Sequence, residues 1–152
     1  MQAVFHTKRI TRVAEDRLAE LIAAAVAANE MAYAPYSKHP VGSAVLANNG
    51  EIYAGCNVEN AAYPLGQCAE ATAVGNMVLG GGHRILHVVV VGPGEHLCTP
   101  CGGCRQNIRE FAGVTGAPVT ICDHKGNVLL ETDSVELLPF SFGPENVDLT
   151  RS

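Results

Sequence analysis

The 152-residue chain contains no tryptophan, and only 5% of its residues are aromatic. Its bulk is therefore aliphatic. Plentiful Ala, with 16 Gly, allows close backbone approach between helices or between subunits. Charge is scarce too. Asp, Glu, Lys and Arg make up 16%, and the formal net charge is −5. An acidic chain with no run of Lys and Arg is a poor ligand for polymeric nucleic acid, whose phosphates demand clustered cations. Long hydrophobic runs are missing as well. AELIAAAVAA and ILHVVVVG are the longest strongly apolar stretches, both short of the ~20 residues that span a bilayer. The opening MQAVFHTKRITRVAEDRL lacks an apolar core of signal-peptide length. These absences lead us to expect a cytoplasmic protein with no membrane partner. In that setting six cysteines do not form a disulfide scaffold.

Nearly half of the residues are apolar, enough for one core and one domain over 1–152. Residues 1–10 read as a loose arm. From Val13 to Asn29 the apolar spacing predicts a helix, with Leu18, Leu21, Ile22, Ala25 and Val26 on one face. AYAPYSKHPVG interrupts regular structure. Two strands then flank Asn48-Asn49-Gly50, a strong hairpin signal. AAYPLGQ is a loop, and a helix is expected from about Cys68 to Leu79, ended by three glycines. ILHVVVVG predicts a strand buried on both faces. A short helix from Cys104 to Ala112, strands in PVTICD and NVLLE, and a helix or turn over Ser134–Leu138 follow. This order describes one mixed sheet flanked by helices.

Three cysteines fall within seven residues: Cys98, Cys101 and Cys104. The pair at 101 and 104 opens a helix, and Cys68 stands at the start of another. Amide dipoles at a helix N-terminus favour thiolates, and a metal deprotonates them outright. Two such tips can converge on one zinc. Cys56 and Cys122, in strand-like segments, read as packing. Cys98 leaves open a closed four-thiolate zinc, structural and chemically silent, or an iron–sulfur cluster. Glu70 argues for the three-ligand alternative. A catalytic zinc keeps a position for water, and a neighbouring carboxylate can take that water's proton.

Cys68-Ala69-Glu70 followed by PCGGC is the cysteine form of the zinc nucleobase deaminase signature. YSKHPVGSAV, GCNVENAAYPLGQCAEATAV, PCGGCRQ and ELLPFSFGPE resemble the small homotetrameric cytidine deaminases, over roughly residues 15–146. The resemblance implies a three-layer α/β/α sandwich around a five-stranded mixed sheet, and hydrolysis of cytidine or 2′-deoxycytidine to the uridine and ammonia. It implies one Zn²⁺ per subunit on Cys68, Cys101 and Cys104. It makes Glu70 the proton shuttle to N3 and the leaving amine, and the Ala69 amide a contact for the pyrimidine carbonyl. Asn57 and Glu59 match the ribose-binding pair; two apart on an extended segment, their side chains share a side. Ala61, Tyr63 and Phe142 match positions that relatives contribute to a neighbour's pocket. The tail, 140–152, is thus expected to complete a second subunit's site in a homotetramer.

Two positions depart from the family pattern. Relatives of the three-cysteine type usually have Arg after the Glu, where this chain has Ala71. Three thiolates and Zn²⁺ sum to a net charge of −1, so a nearby cation or the helix dipoles must compensate. His39 stands where relatives commonly have Phe near the base, which adds a titratable donor to the substrate-binding set. These departures leave room for a modified pyrimidine nucleoside, or one resembling blasticidin S, as substrate. A non-catalytic four-cysteine zinc module is the alternative of a different class. His83, His87, His96 and His124 are expected near turns or strand edges and receive no role.

Overall fold

The computed structural model describes residues 17–147. The expected arm, the predicted helix residues before 17 and the end of the tail lie outside the described residues. Helix α1 runs Leu18–Glu30 and buries Leu21, Ala25 and Asn29 at four-residue spacing. A five-stranded sheet follows in the order β2-β1-β3-β4-β5. Its strands are β1 (Gly42–Ala47), β2 (Ile52–Cys56), β3 (Ile85–Val91), β4 (Pro118–Cys122) and β5 (Val128–Asp133). Helices α2 (Ala69–Leu79), α3 (Gly102–Ala112) and α4 (Ser134–Leu137) complete the set. The β1–β2 hairpin turns where Asn-Gly predicts, with Gly50 at φ +83°, which its missing Cβ permits.

Strand β3 explains the layering. Val88 and Val90 join a cluster with Val74 and Met77 of α2 and Ile108 of α3. Val89 and Val91 join the opposite cluster, with Leu21 and Ala25 of α1. A strand whose two faces are both covered needs no polar alternation, which is why ILHVVVVG is a continuous run. Burying each valine contributes roughly 1.5–3 kcal/mol. The result is the expected α/β/α sandwich around a mixed sheet. Small residues set the layer spacing at two places. A Cβ on Gly42 would lie 2.1 Å from the Ala25 carbonyl of α1, and one on Gly55 would lie 2.4 Å from the Ala73 amide of α2.

Topology also places the site. β1 is antiparallel to both β2 and β3, so β2 and β3 run in the same direction on either side of it. α2 follows β2 and α3 follows β3. Both helix N-termini therefore rise from the same end of the sheet, the carboxyl end of these strands, where open α/β sheets gather ligands.

Two expectations change. Helix α3 begins at Gly102, not Cys104, because the two glycines are drawn into its first turn. His87 is not near a turn or strand edge. It lies inside β3, 1% exposed, with Nε2 2.8 Å from Thr120 Oγ1. Cys122 is buried in the α1-side cluster as expected of a packing residue.

Candidate metal centre

Cys68 and Cys101 each occupy the residue just before a helix, α2 and α3 respectively, in extended conformation. That is the position at which a side chain meets the unpaired N–H groups of the first turn. Cys104 lies in the first turn of α3 and is buried. The three sulfurs lie within 4.8 Å of one another, and Cys68 Sγ is 3.9 Å from Cys101 Sγ. Zn–S bonds of about 2.3 Å in tetrahedral geometry place sulfurs roughly 3.8 Å apart. The donor set therefore fits zinc in both chemistry and spacing. Cys98 is not in this cluster; its sulfur lies 3.6 Å from His39 Nε2 instead. Among the described residues the centre has three thiols, not four.

Glu70 is the second residue of α2 and is 4% exposed. Its Oε2 accepts from the Cys104 thiol at 3.2 Å. Not all three thiols gain from the helix tips. The Cys101 thiol is lowered, chiefly by the Cys104 backbone N–H, with help from that of Gly103. Burial pushes the Cys68 thiol up despite its place at a helix start. Cys104 is pushed up strongly by burial and then by the Glu70 charge. Crowded anions hold one another's protons on, and a dication at the shared point reverses that balance.

The donors to sulfur at Cys101 are thus backbone amides, which answers part of the question raised by Ala71. Arg105 does not substitute for the missing arginine. It donates to the carbonyls of Pro100 and Leu137, both at 2.8 Å, and so braces the loop before α3.

A cavity of about 720 Å³ opens from the thiols. It brings together His39, Asn57, Glu59, Tyr63, Ala69 and Glu70 with the cysteines. Asn57 and Glu59 both line the cavity, and both reach the loop 36–41. Asn57 Oδ1 accepts from the Val41 amide at 2.8 Å, and its Nδ2 donates to the His39 carbonyl at 2.9 Å. Glu59 Oε1 accepts from the amides of Tyr36 and Ser37. The Ser37 hydroxyl and amide hold this carboxyl below its usual range. Tyr36 packs edge-on against Tyr63, with centroids 5.9 Å apart.

Ala61 and Phe142 do not line this chain's cavity. Phe142 is 62% exposed and Phe140 fully exposed at φ +51°. Their segment is fastened to α3. Gln106 donates to the Phe142 carbonyl, and Arg109 to Ser141 Oγ and Glu145. A Cβ on Gly143 would lie 2.6 Å from the Arg109 guanidinium. Sequence reasoning missed Arg109 and also Asn29. Asn29 is 8% exposed and donates to the carbonyls of Pro40 and Val91, tying the loop 36–41 to β3. An asparagine on the apolar face of a predicted helix was the available signal.

The comparisons with known proteins converge. Residues 15–119 match the model of the cytidine and deoxycytidylate deaminase zinc-binding region. The chain is 44% identical over 128 residues to a cytidine deaminase of Sporosarcina psychrophila, covering 84% of this chain and 93% of that one. A cytidine deaminase of Halalkalibacterium halodurans is 36% identical over 131 residues, covering 84% and 96%. Among solved structures, the cytidine deaminase of Burkholderia pseudomallei superposes with a TM-score of 0.74. It is 41% identical, and the match covers 82% of this chain and 98% of that chain.

Proposed function

This chain belongs to the cytidine and deoxycytidylate deaminase family, and on that premise we propose that it hydrolyses cytidine or 2′-deoxycytidine to the corresponding uridine and ammonia. The observation that carries the reading is Glu70, a buried carboxylate 3.2 Å from one of three clustered thiols. Zinc on Cys68, Cys101 and Cys104 supplies, when bound, the Lewis acidity that activates water. Glu70 takes the proton that water loses and hands it to N3 of the ring. It then passes a proton to the exocyclic amine as the C4–N bond breaks and the new C4–O bond becomes a carbonyl. The Ala69 N–H, free of intrahelical partners at the first position of α2, donates to the pyrimidine O2. Glu59 Oε2 accepts from a ribose hydroxyl. Asn57, with one N–H and one lone pair beyond its loop bonds, does the same work beside it.

We further propose a homotetramer in which Ala61 and Phe142 of one copy border the pocket of another; Tyr63, expected in the same role, lines its own chain's cavity instead. The fastened, outward-facing Phe142 supports this reading. The need for reduced thiols, together with six free cysteines, supports a cytoplasmic setting. The test is ammonia release from cytidine by the zinc-loaded chain and by Glu70→Gln. The variant should keep its zinc and lose about 10²- to 10⁴-fold in turnover. Full turnover in the variant would sink the assignment.

A further inference from the structure

Cys98 and His39 make a contact that the deaminase chemistry does not use. The sulfur lies 3.6 Å from His39 Nε2, and both residues line the cavity. Each is held from behind. A Cβ on Gly92 would lie 2.2 Å from Cys98 Cβ, so the thiol sits in the space that glycine leaves. Two residues on, Arg105 grips the Pro100 carbonyl. On the other side, the His39 amide donates to Ser37 Oγ at 3.1 Å, and its carbonyl accepts from Asn57. The pair therefore bridges the two ends of the pocket. Cys98 is anchored three residues before the metal ligand Cys101, and His39 is anchored to Asn57.

Burial first, then the charges of Glu70 and Cys101, push the Cys98 thiol up, so the sulfur keeps a proton that it can donate to His39 Nε2, 3.6 Å away. With Nε2 as acceptor, the ring proton stands on Nδ1. No other partner of that ring is found among the described residues. Position narrows what the donor meets. Glu70 and Ala69, from the α2 tip, serve N3 and O2 of a pyrimidine. Cys98 belongs to the loop that leads to the α3 tip and lines the same cavity. A ring with C4 at the thiols and N3 and O2 at the α2 tip turns its C5–C6 edge away from that tip.

We propose that Cys98 and His39 form a specificity element for the pyrimidine 5-position, Cys98 holding the imidazole as a positioning residue and His39 offering Nδ1–H to a polar 5-substituent. The inference rests on the deaminase reading for the placement of the base. In the zinc-loaded enzyme, kcat/KM is measured for 5-hydroxymethylcytidine and 5-methylcytidine, and Kd for the matching uridines. Wild-type protein should favour the hydroxymethyl partner of each pair. His39→Phe should reduce that ratio about tenfold, as expected when a hydrogen-bonding site loses its polar group. Cys98→Ala should reduce it at least threefold with zinc content unchanged. ¹⁵N spectra should show the Nδ1–H tautomer of His39 in wild type and its loss in Cys98→Ala. An equal ratio in wild type and His39→Phe overturns the proposal. So does a tautomer that ignores Cys98→Ala. A wild-type chain that turned over no cytidine would overturn the deaminase reading instead, and the Kd ratio would still decide the role of the pair.

Discussion

At one end of the pocket, Cys68 and Cys101 cap α2 and α3, helices of 11 residues each. At the other, Asn57 and Glu59 flank Val58, whose pairing is limited to single bridges with Tyr33 and Gln67. The thiolate end is rigid because secondary structure makes it so. Backbone ladders fix the helix tips, and two layers of core fix the helices. The end with Asn57 and Glu59 has a thinner frame, a few backbone bonds from residues 57–59 to Tyr33, Val41 and Gln67. Its loop 36–41 is held by side chains, through Asn29, Asn57 and Glu59. The contrast assigns different kinds of fragility to the two ends. A substitution at the first should remove the metal and leave the fold. A substitution at the second should loosen the pocket and leave the metal.

Cys104→Ala is the sharpest way to break that contrast. Zinc per chain should fall towards zero and turnover with it, while the denaturation midpoint of the metal-free protein stays close to that of metal-free wild type. A variant that kept its zinc would mean that a fourth protein group stands in. Acid separates both ends from the scaffold beneath them. Burial lowers the His87 pKa to about 4 from 6.5, so as pH falls the unfolded chain takes up a proton before the folded one does. Stability from the neutral ring is complete above about pH 6.5 and is lost as pH falls towards 4, by roughly 3 kcal/mol. Urea unfolding of wild type against His87→Leu/Thr120→Val, at pH 7 and 4.5, should show a flatter dependence in the variant. Asn57→Ala strands the Val41 amide and frees the His39 carbonyl, a cost of about 1–3 kcal/mol. It should raise KM more than it lowers kcat and leave zinc stoichiometry intact, by metal analysis beside steady-state kinetics. The smallest effect is expected from Ala71→Arg. Backbone amides already serve the Cys101 sulfur, so zinc affinity should change by only a few-fold in competition with a chelator.

The thiolate end was largely legible in the sequence. Cysteines at a helix start, with an acid two residues on, are local features, and local features survive translation into structure. The β3 run, the Asn-Gly turn and the α1 face followed from periodicity for the same reason. Asn57 and Glu59 were legible only as a pair that shares a side. Their bonds to the loop 36–41 join segments some 16 to 23 residues apart, and spacing within one segment says nothing of that. His87 falls inside the predicted ILHVVVVG strand, but nothing within that segment shows what would satisfy its ring there. Its hydroxyl partner, Thr120, comes from the neighbouring strand.

The sequence by itself determined which residue types stand at which element ends: thiols before two helices, a carboxylate in the first turn of one, and a strand with no polar face. Only the tertiary structure decided that Cys98 turns away from the other three sulfurs and towards His39, and that Arg109 fastens the segment bearing Phe142. The reason is directional. Helix and strand patterns come from repeats a few residues long, which the chain carries within itself. Which side chains finally meet depends on a sheet order that places β1 between β2 and β3, and so brings two distant helix tips to the same end of the sheet.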